Sequence, residues 1–182
     1  MHIDQGWLDQ ANQVVSPNVN SRPDINDISL LVIHNISLPP EQFGGPYIAQ
    51  LFSNCLDPNE HTYFKKIYQL KVSSHLLIDR EGKITQFVPF HKRAWHAGVS
   101  TYEGRNGCND FSIGIELEGA DHIPYTEVQY NILAAVTRQI IVSYPLINAE
   151  RIVGHADIAP GRKTDPGPAF DWQKYRQLLL SN

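Results

Sequence analysis

Apolar residues along the chain switch between two spacings, and the switches mark its elements. Residues 28–36, Ile-Ser-Leu-Leu-Val-Ile-His-Asn-Ile, form a nearly continuous apolar run, the pattern of a strand buried on both faces. Two shorter β-rich runs, Ser74–Ile78 and Ile84–Val88, flank Asp79-Arg-Glu-Gly-Lys83 and predict a hairpin across 73–89. Phe111 to Glu118 alternates strictly, with Ile113, Ile115 and Leu117 on one side and Gly114, Glu116 and Glu118 on the other. Helical spacing then takes over. Thr126 with Gln129 three residues on is a capping-box signature. Val128, Ile132, Val136 and Ile140, with Leu133 and Ile141 on the adjacent row, predict a core-facing stripe. A last helix is expected from about Asp171 to Leu180, turning Trp172, Tyr175 and Leu179 inward. Strands interleaved with helices, a hairpin among them, predict an α/β fold: a mixed central β-sheet with flanking helices on at least one side.

Composition narrows the class. With 182 residues and 42% hydrophobic content, the chain suits one compact domain spanning 1–182. Pro and Gly mark loops at 38–46 and 160–168 rather than a linker. The net charge of −4, with no basic block, argues against nucleic acid as a partner. No apolar run of about 18 residues exists, so no spanning helix and no membrane partner are expected. The N-terminus lacks a cationic segment followed by an apolar one, which predicts a cytoplasmic protein. In that compartment Cys55 and Cys108 are expected as reduced thiols.

The densest chemistry lies in Val153 to Pro168. Its Pro/Gly-stiffened loop carries His155, Lys163 and Asp165 directly after a short apolar run. His34 likewise ends an apolar run at a loop, and strand ends are where α/β proteins present functional groups. Two neutral imidazoles and a carboxylate suit zinc, with a fourth position left open, and a nearby lysine can balance an oxyanion. Taken alone, Asp165 reads first as a turn residue accepting backbone N–H bonds, and Lys163, with Arg162, equally as an exposed loop charge. The other histidines read as bland: His2, His61 and His122 as solvated, His91 and His96 as loop residues, His75 as a hydrogen-bonded core residue. Glu116 stands out as a carboxylate inside an apolar run. It is either a general base raised by partial burial or part of a solvent-facing strand side, the latter supported by Glu118. Glu116 and Glu118 together invite a glycosidase reading, but about 7 Å between their backbones selects no clear mechanism. Gly98-Val-Ser100-Thr-Tyr102 lacks the closing glycine of a nucleophile elbow.

Five ordered segments carry a resemblance: Val32–Pro40, Ser74–Asp79, Arg93–Gly98, Asn109–Gly119 and Gly154–Pro168. Together they resemble the zinc amidase family that includes the peptidoglycan recognition proteins, over essentially the whole chain. The resemblance implies one Zn2+ held by His34, His155 and Asp165, with Glu116 as catalytic carboxylate and Lys163 as oxyanion partner. Asn35 and Trp95 resemble groove positions for a muramyl group. Relatives carry arginine where this chain has Lys71, and a further basic residue near Gly107. Both are linked to substrate carboxylates, so Lys71 would keep charge without bidentate geometry, and Arg105 is the candidate at the second position. The implied reaction is hydrolysis of the amide between the lactyl group of (1,6-anhydro)-N-acetylmuramic acid and L-alanine. It implies a monomer acting on soluble muropeptides in peptidoglycan recycling and, where the host has the circuit, restraining β-lactamase induction. Recognition proteins of this fold that lack a zinc ligand bind without cutting; here all three positions carry one. An amidase acting on intact cell wall is the alternative.

Overall fold

A computed structural model describes residues 1–181 of the chain. A six-stranded mixed sheet forms its centre. Its strands are β1 (Asn12–Gln13), β2 (Leu30–Ile36), β3 (Leu76–Ile78), β4 (Ile84–Gln86), β5 (Ser112–Glu118) and β6 (Ile152–Gly154). The spatial order is β6-β2-β5-β3-β4-β1. The pairings of β6 with β2, β2 with β5, β5 with β3 and, at the far edge, β4 with β1 are parallel, and β3 with β4 is the antiparallel hairpin. The hairpin expected over 73–89 is therefore present, with Ile78 opposite Ile84 and shorter strands than the sequence suggested.

Each face of the sheet is covered. Leu31 and Ile33 of β2 with Ile113, Ile115 and Leu117 of β5 pack beneath helix α2 (Glu127–Ser143) and helix α4 (Trp172–Leu180), joined by Leu133, Val136, Ile140 and Tyr175. The buried Thr137 and Tyr175 hydroxyls lie 2.8 Å apart and tie the two helices together. On the opposite face, a short helix α1 (Tyr47–Phe52) and the loops through Phe64 and Phe87 build a second apolar cluster. Leu30 and Val32 pack there against Ala97, Cys108, Phe111 and Ile158. A four-residue helix, α3 (His155–Ile158), follows β6 directly. Cys55 is exposed, Cys108 is buried, and both are free. Among the described residues, no helix is long and apolar enough to cross a membrane.

Two expectations change. Every residue of β5 is buried, so the strand does not turn a polar side to solvent. The core stripe of α2 also begins later than its periodicity implied. Val128 is 38% exposed, and Gln129 takes the inward place in the first turn. There the Gln129 amide donates to the carbonyls of Ile78 and Glu118 while its oxygen accepts from the Thr126 N–H. A polar residue wins that position because two strand-end carbonyls need donors. The expected capping box is present, with the Gln129 N–H donating to the Thr126 hydroxyl at 3.2 Å. Thr126→Ala is expected to cost about 1 kcal/mol of stability, read from the midpoint of a urea titration, with turnover per folded molecule unchanged.

Candidate active site

Strand register assembles the site. Glu116 lies beside His34 across β5 and β2, and Gly154 lies beside Ile33 across β6 and β2. His155, one residue beyond Gly154, therefore comes level with His34. Three catalytic-type side chains thus stand in one row at the carboxyl edge of parallel strands, where open α/β sheets place their ligands. Asp165 returns to this row on the loop after α3, whose path is fixed by the Ala156 N–H donating to the Asp165 carbonyl at 2.9 Å. A second clamp acts on the next residue. The Asn35 amide donates to Asp121 at 2.8 Å and to the Pro166 carbonyl at 3.0 Å, and the Tyr125 hydroxyl donates to the same carbonyl at 2.7 Å. Gly167 completes the clamp at φ +80°, because a Cβ there would fall 2.2 Å from Asp121 Cα.

The His34 Nδ1, His155 Nδ1 and Asp165 Oδ2 atoms form a nearly equilateral triangle. The nitrogens are 2.9 Å apart, and each lies 3.0 Å from the oxygen. Donors bound at about 2.0–2.1 Å in a tetrahedral zinc site stand about 3.3 Å apart, so a small outward relaxation fits the triangle to one such ion. These three residues are a group that could hold a metal.

Burial sets the protonation states. It holds His34 down to about 4, an effect that the Asp165 hydrogen bond only partly offsets. At neutral pH the ring is uncharged, as a metal ligand must be. For Asp165 burial alone would raise the pKa, but the two imidazoles set against it, His155 and His34, outweigh it and hold the carboxyl well below the usual range. Glu116 moves the opposite way. Burial, reinforced by the Asp165 charge, pushes it well above the ordinary glutamate value, and Lys163 offsets only part. Its Oε2 is buried with no hydrogen-bond partner. Two neighbouring carboxyls thus have pKa values pushed apart, one kept ionised and the other poised for proton transfer.

A cleft of about 370 Å³ opens above these groups. Besides His34, His155, Asp165 and Glu116 it is lined by Asn35, Trp95, His96 and Lys163, with an apolar wall of Leu38, Leu51, Phe52, Tyr63 and Ile67. The Trp95 indole N–H donates to Asn20 at 3.0 Å, which fixes the ring at the rim. Lys71 is exposed between the lining residues Leu70 and Val72.

Three assignments from the sequence need correction. Arg105 does not line the cleft: its guanidinium pairs with Asp27 at 2.5 Å and stacks on Phe111, 3.9 Å from the ring centroid. Two of its donors and its flat face are committed there. His61 is half-buried rather than solvated, with Nδ1 accepting from the Tyr63 N–H. His96 is no bland loop residue, since its Nδ1 lies 2.8 Å from His34 Nε2. Nothing in the spacing of residues 34 and 96 announces that contact, which depends on a loop folding back over β5. Glu118 is 3% exposed and accepts from the backbone N–H of Gly44 at 2.6 Å and of Arg80 at 3.2 Å. With its oxygens satisfied by backbone, it forms no acid–base pair with Glu116, and the glycosidase reading falls. His75, by contrast, is the fully buried, hydrogen-bonded core residue expected.

A carboxyl held ready for protons beside a triangle of metal-type donors is the layout of a hydrolase working on one polar bond. Similarity to known proteins narrows that class. A family model described as N-acetylmuramoyl-L-alanine amidase matches residues 24–168, and the chain belongs to the N-acetylmuramoyl-L-alanine amidase family. It is 60% identical over 176 residues to 1,6-anhydro-N-acetylmuramyl-L-alanine amidase AmpD of Salmonella typhimurium, covering 97% of this chain and 94% of that one. A crystal structure of a selenomethionine AmpD derivative superposes with a TM-score of 0.96 at 59% identity, covering 98% and 99% of the two chains. The amidase AmiD from E. coli, in complex with anhydro-N-acetylmuramic acid-L-Ala-D-gamma-Glu-L-Lys, superposes at 0.61 with 32% identity, covering 87% of this chain and 60% of that chain.

The Glu116 environment has a stability consequence. A carboxyl raised by burial favours the fold while protonated, and that contribution is lost as pH rises through its folded pKa. Glu116→Gln removes the titration, so in metal-free protein the variant's melting temperature should gain on wild type between pH 5 and pH 8. A variant that falls further behind over that range would contradict the raised pKa.

Proposed function

We propose that this protein is a zinc-dependent amidase that cuts the bond joining the lactyl group of (1,6-anhydro)-N-acetylmuramic acid to L-alanine of the stem peptide. The observation that carries the proposal is the meeting of His34 Nδ1, His155 Nδ1 and Asp165 Oδ2 within 3.0 Å of one another on the floor of the cleft. The AmpD similarity across nearly the whole chain, and the anhydromuramyl peptide bound by AmiD, support the substrate class. His34, His155 and Asp165 would hold one Zn2+. When bound, such an ion supplies Lewis acidity and a water pKa lowered to about 7.

The chain's own residues do the rest. Glu116, with one buried oxygen unpartnered, takes a proton from the attacking water. It later delivers one to the alanine nitrogen, because an amine leaves poorly unless protonated. Lys163 at the cleft wall meets the charge that develops on the tetrahedral oxygen. The wall of Leu38, Leu51, Phe52, Tyr63 and Ile67 excludes water and receives the apolar faces of sugar and lactyl group. Asn35 works through Asp165, since its amide donors are spent on Asp121 and Pro166; its oxygen is the part left for substrate. Trp95 offers a ring face to the sugar, and Lys71 a cation to a stem-peptide carboxylate at the rim. The substrate assigned to this cleft is a soluble fragment from cell-wall recycling, met by a monomer in the cytoplasm.

Incubating the zinc-loaded protein with an anhydro-muropeptide, and separately with whole sacculi, tests the reading by product mass. Free stem peptide and anhydro-sugar from the first, with little release from the second, are expected; the reverse order would move the protein to intact cell wall. Glu116→Ala should abolish turnover while zinc remains stoichiometric, and metal loss in that variant would make Glu116 structural instead. Lys163→Ala should lower kcat by about 10²–10³-fold with little change in KM. A dominant KM effect would reduce Lys163 to a substrate contact.

A further inference from the structure

The half-buried imidazole beside His34 has a role that follows from hydrogen-bond direction alone. A chain of contacts leads inward from the donor triangle: His34 Nε2 to His96 Nδ1 at 2.8 Å, His96 Nε2 to the Ser112 hydroxyl at 3.1 Å, and that hydroxyl to the Cys108 carbonyl at 2.6 Å. The last group can only accept. Ser112 must therefore spend its single proton on Cys108, so its oxygen accepts from His96 Nε2–H. A neutral His96 protonated at Nε2 has a bare Nδ1, which accepts from His34 Nε2–H. That leaves the His34 Nδ1 lone pair facing His155 and Asp165. The carbonyl at one end thus fixes the tautomer at the other.

Packing keeps the relay in register. A Cβ on Gly114 would lie 2.5 Å from the His96 ring, so glycine in mid-strand is what lets the imidazole lie against β5. The ring is wedged edge-to-face between His34 and His75, with centroids 4.9 and 5.8 Å away. The second ligand-type histidine is fixed by the same strip of chain: His155 Nε2 donates to the Ala97 carbonyl at 3.1 Å, and Arg162 donates to that carbonyl at 2.7 Å.

We propose that His96 is a positioning residue that, through Ser112 and the Cys108 carbonyl, locks His34 in the tautomer whose Nδ1 faces the metal. The proposal rests on the zinc reading of the triangle. The partner of a metal-bound histidine typically governs about 10–100-fold in metal affinity. Zinc affinity measured by competition with a chromophoric chelator, without any substrate, is the test. His96→Phe keeps the ring and removes the acceptor, and should weaken zinc binding by about 10–100-fold. His96→Gln returns an acceptor oxygen and should recover most of the loss. Ser112→Ala frees the relay from its anchor and should weaken binding less than His96→Phe. In metal-free wild type, long-range nitrogen–proton NMR spectra should report His34 protonated at Nε2, with that preference eroded in Ser112→Ala. Equal zinc affinity in wild type and His96→Phe would overturn the proposal, as would equal losses in the Phe and Gln variants. Should His96→Phe fail to fold, an unchanged His34 tautomer and zinc affinity in Ser112→Ala overturns it. A wild-type protein that binds no zinc would instead defeat the zinc reading itself.

Discussion

The register of β2 with its two parallel neighbours is the constraint on which the rest of the molecule depends. A slip of one residue between β2 and β5 would turn Glu116 away from His34, because successive side chains on a strand face opposite ways. A slip against β6 would carry His155 out of line in the same manner. The apolar face of the sheet prevents both. Leu31, Ile33, Ile113, Ile115 and Leu117 are all fully buried beneath α2 and α4, and any slip would expose that whole set to polar surroundings. The core therefore does more than stabilise. It fixes, to within one residue, which groups reach the cleft floor.

Desolvation is the second organising effect, and it acts on each titratable group according to its partners. The same burial that neutralises His34 and lifts Glu116 is overcome at Asp165 by the two imidazoles set against it. The outcome is a site with a neutral His34 nitrogen, one ionised oxygen donor and one carboxyl raised well above its ordinary range. Charge is costly to bury, so a triangle carrying a single carboxylate without an arginine or lysine inside it calls for a cation. The neighbouring Glu118 shows the other solution, with a buried carboxylate satisfied by two backbone N–H groups. Two glutamates two residues apart on one strand thus have different tasks, set by what surrounds them.

Much of this was legible in the sequence, and the gaps have physical causes. Continuous and alternating apolar runs marked β2 and β5 because their periodicity is a direct record of burial, and Thr126 with Gln129 marked the start of α2 because capping chemistry is local. The ends of apolar runs pointed to His34 and His155 and the apolar surroundings to Glu116, while the five motifs taken together were needed to set the functional readings of Asp165 and Glu116 above the bland ones. Composition could not tell Glu116 from Glu118, since their difference lies in the Gly44 and Arg80 backbones that approach from distant loops. His96 was hidden for a similar reason. Its partners are 62 and 16 residues away, and no periodic signal links them. Arg105 illustrates the reverse error: a cation in the right stretch of chain, drawn aside by Asp27 and the face of Phe111.

The central claim is that two imidazole nitrogens and one carboxylate oxygen share a single divalent ion. X-ray absorption at the zinc edge of the loaded protein tests it most directly. The account predicts one zinc per chain in a shell of nitrogen and oxygen at about 2.0–2.1 Å, with multiple scattering from two imidazoles. A sulfur shell at about 2.3 Å, or a shell of oxygen without imidazole scattering, would contradict it.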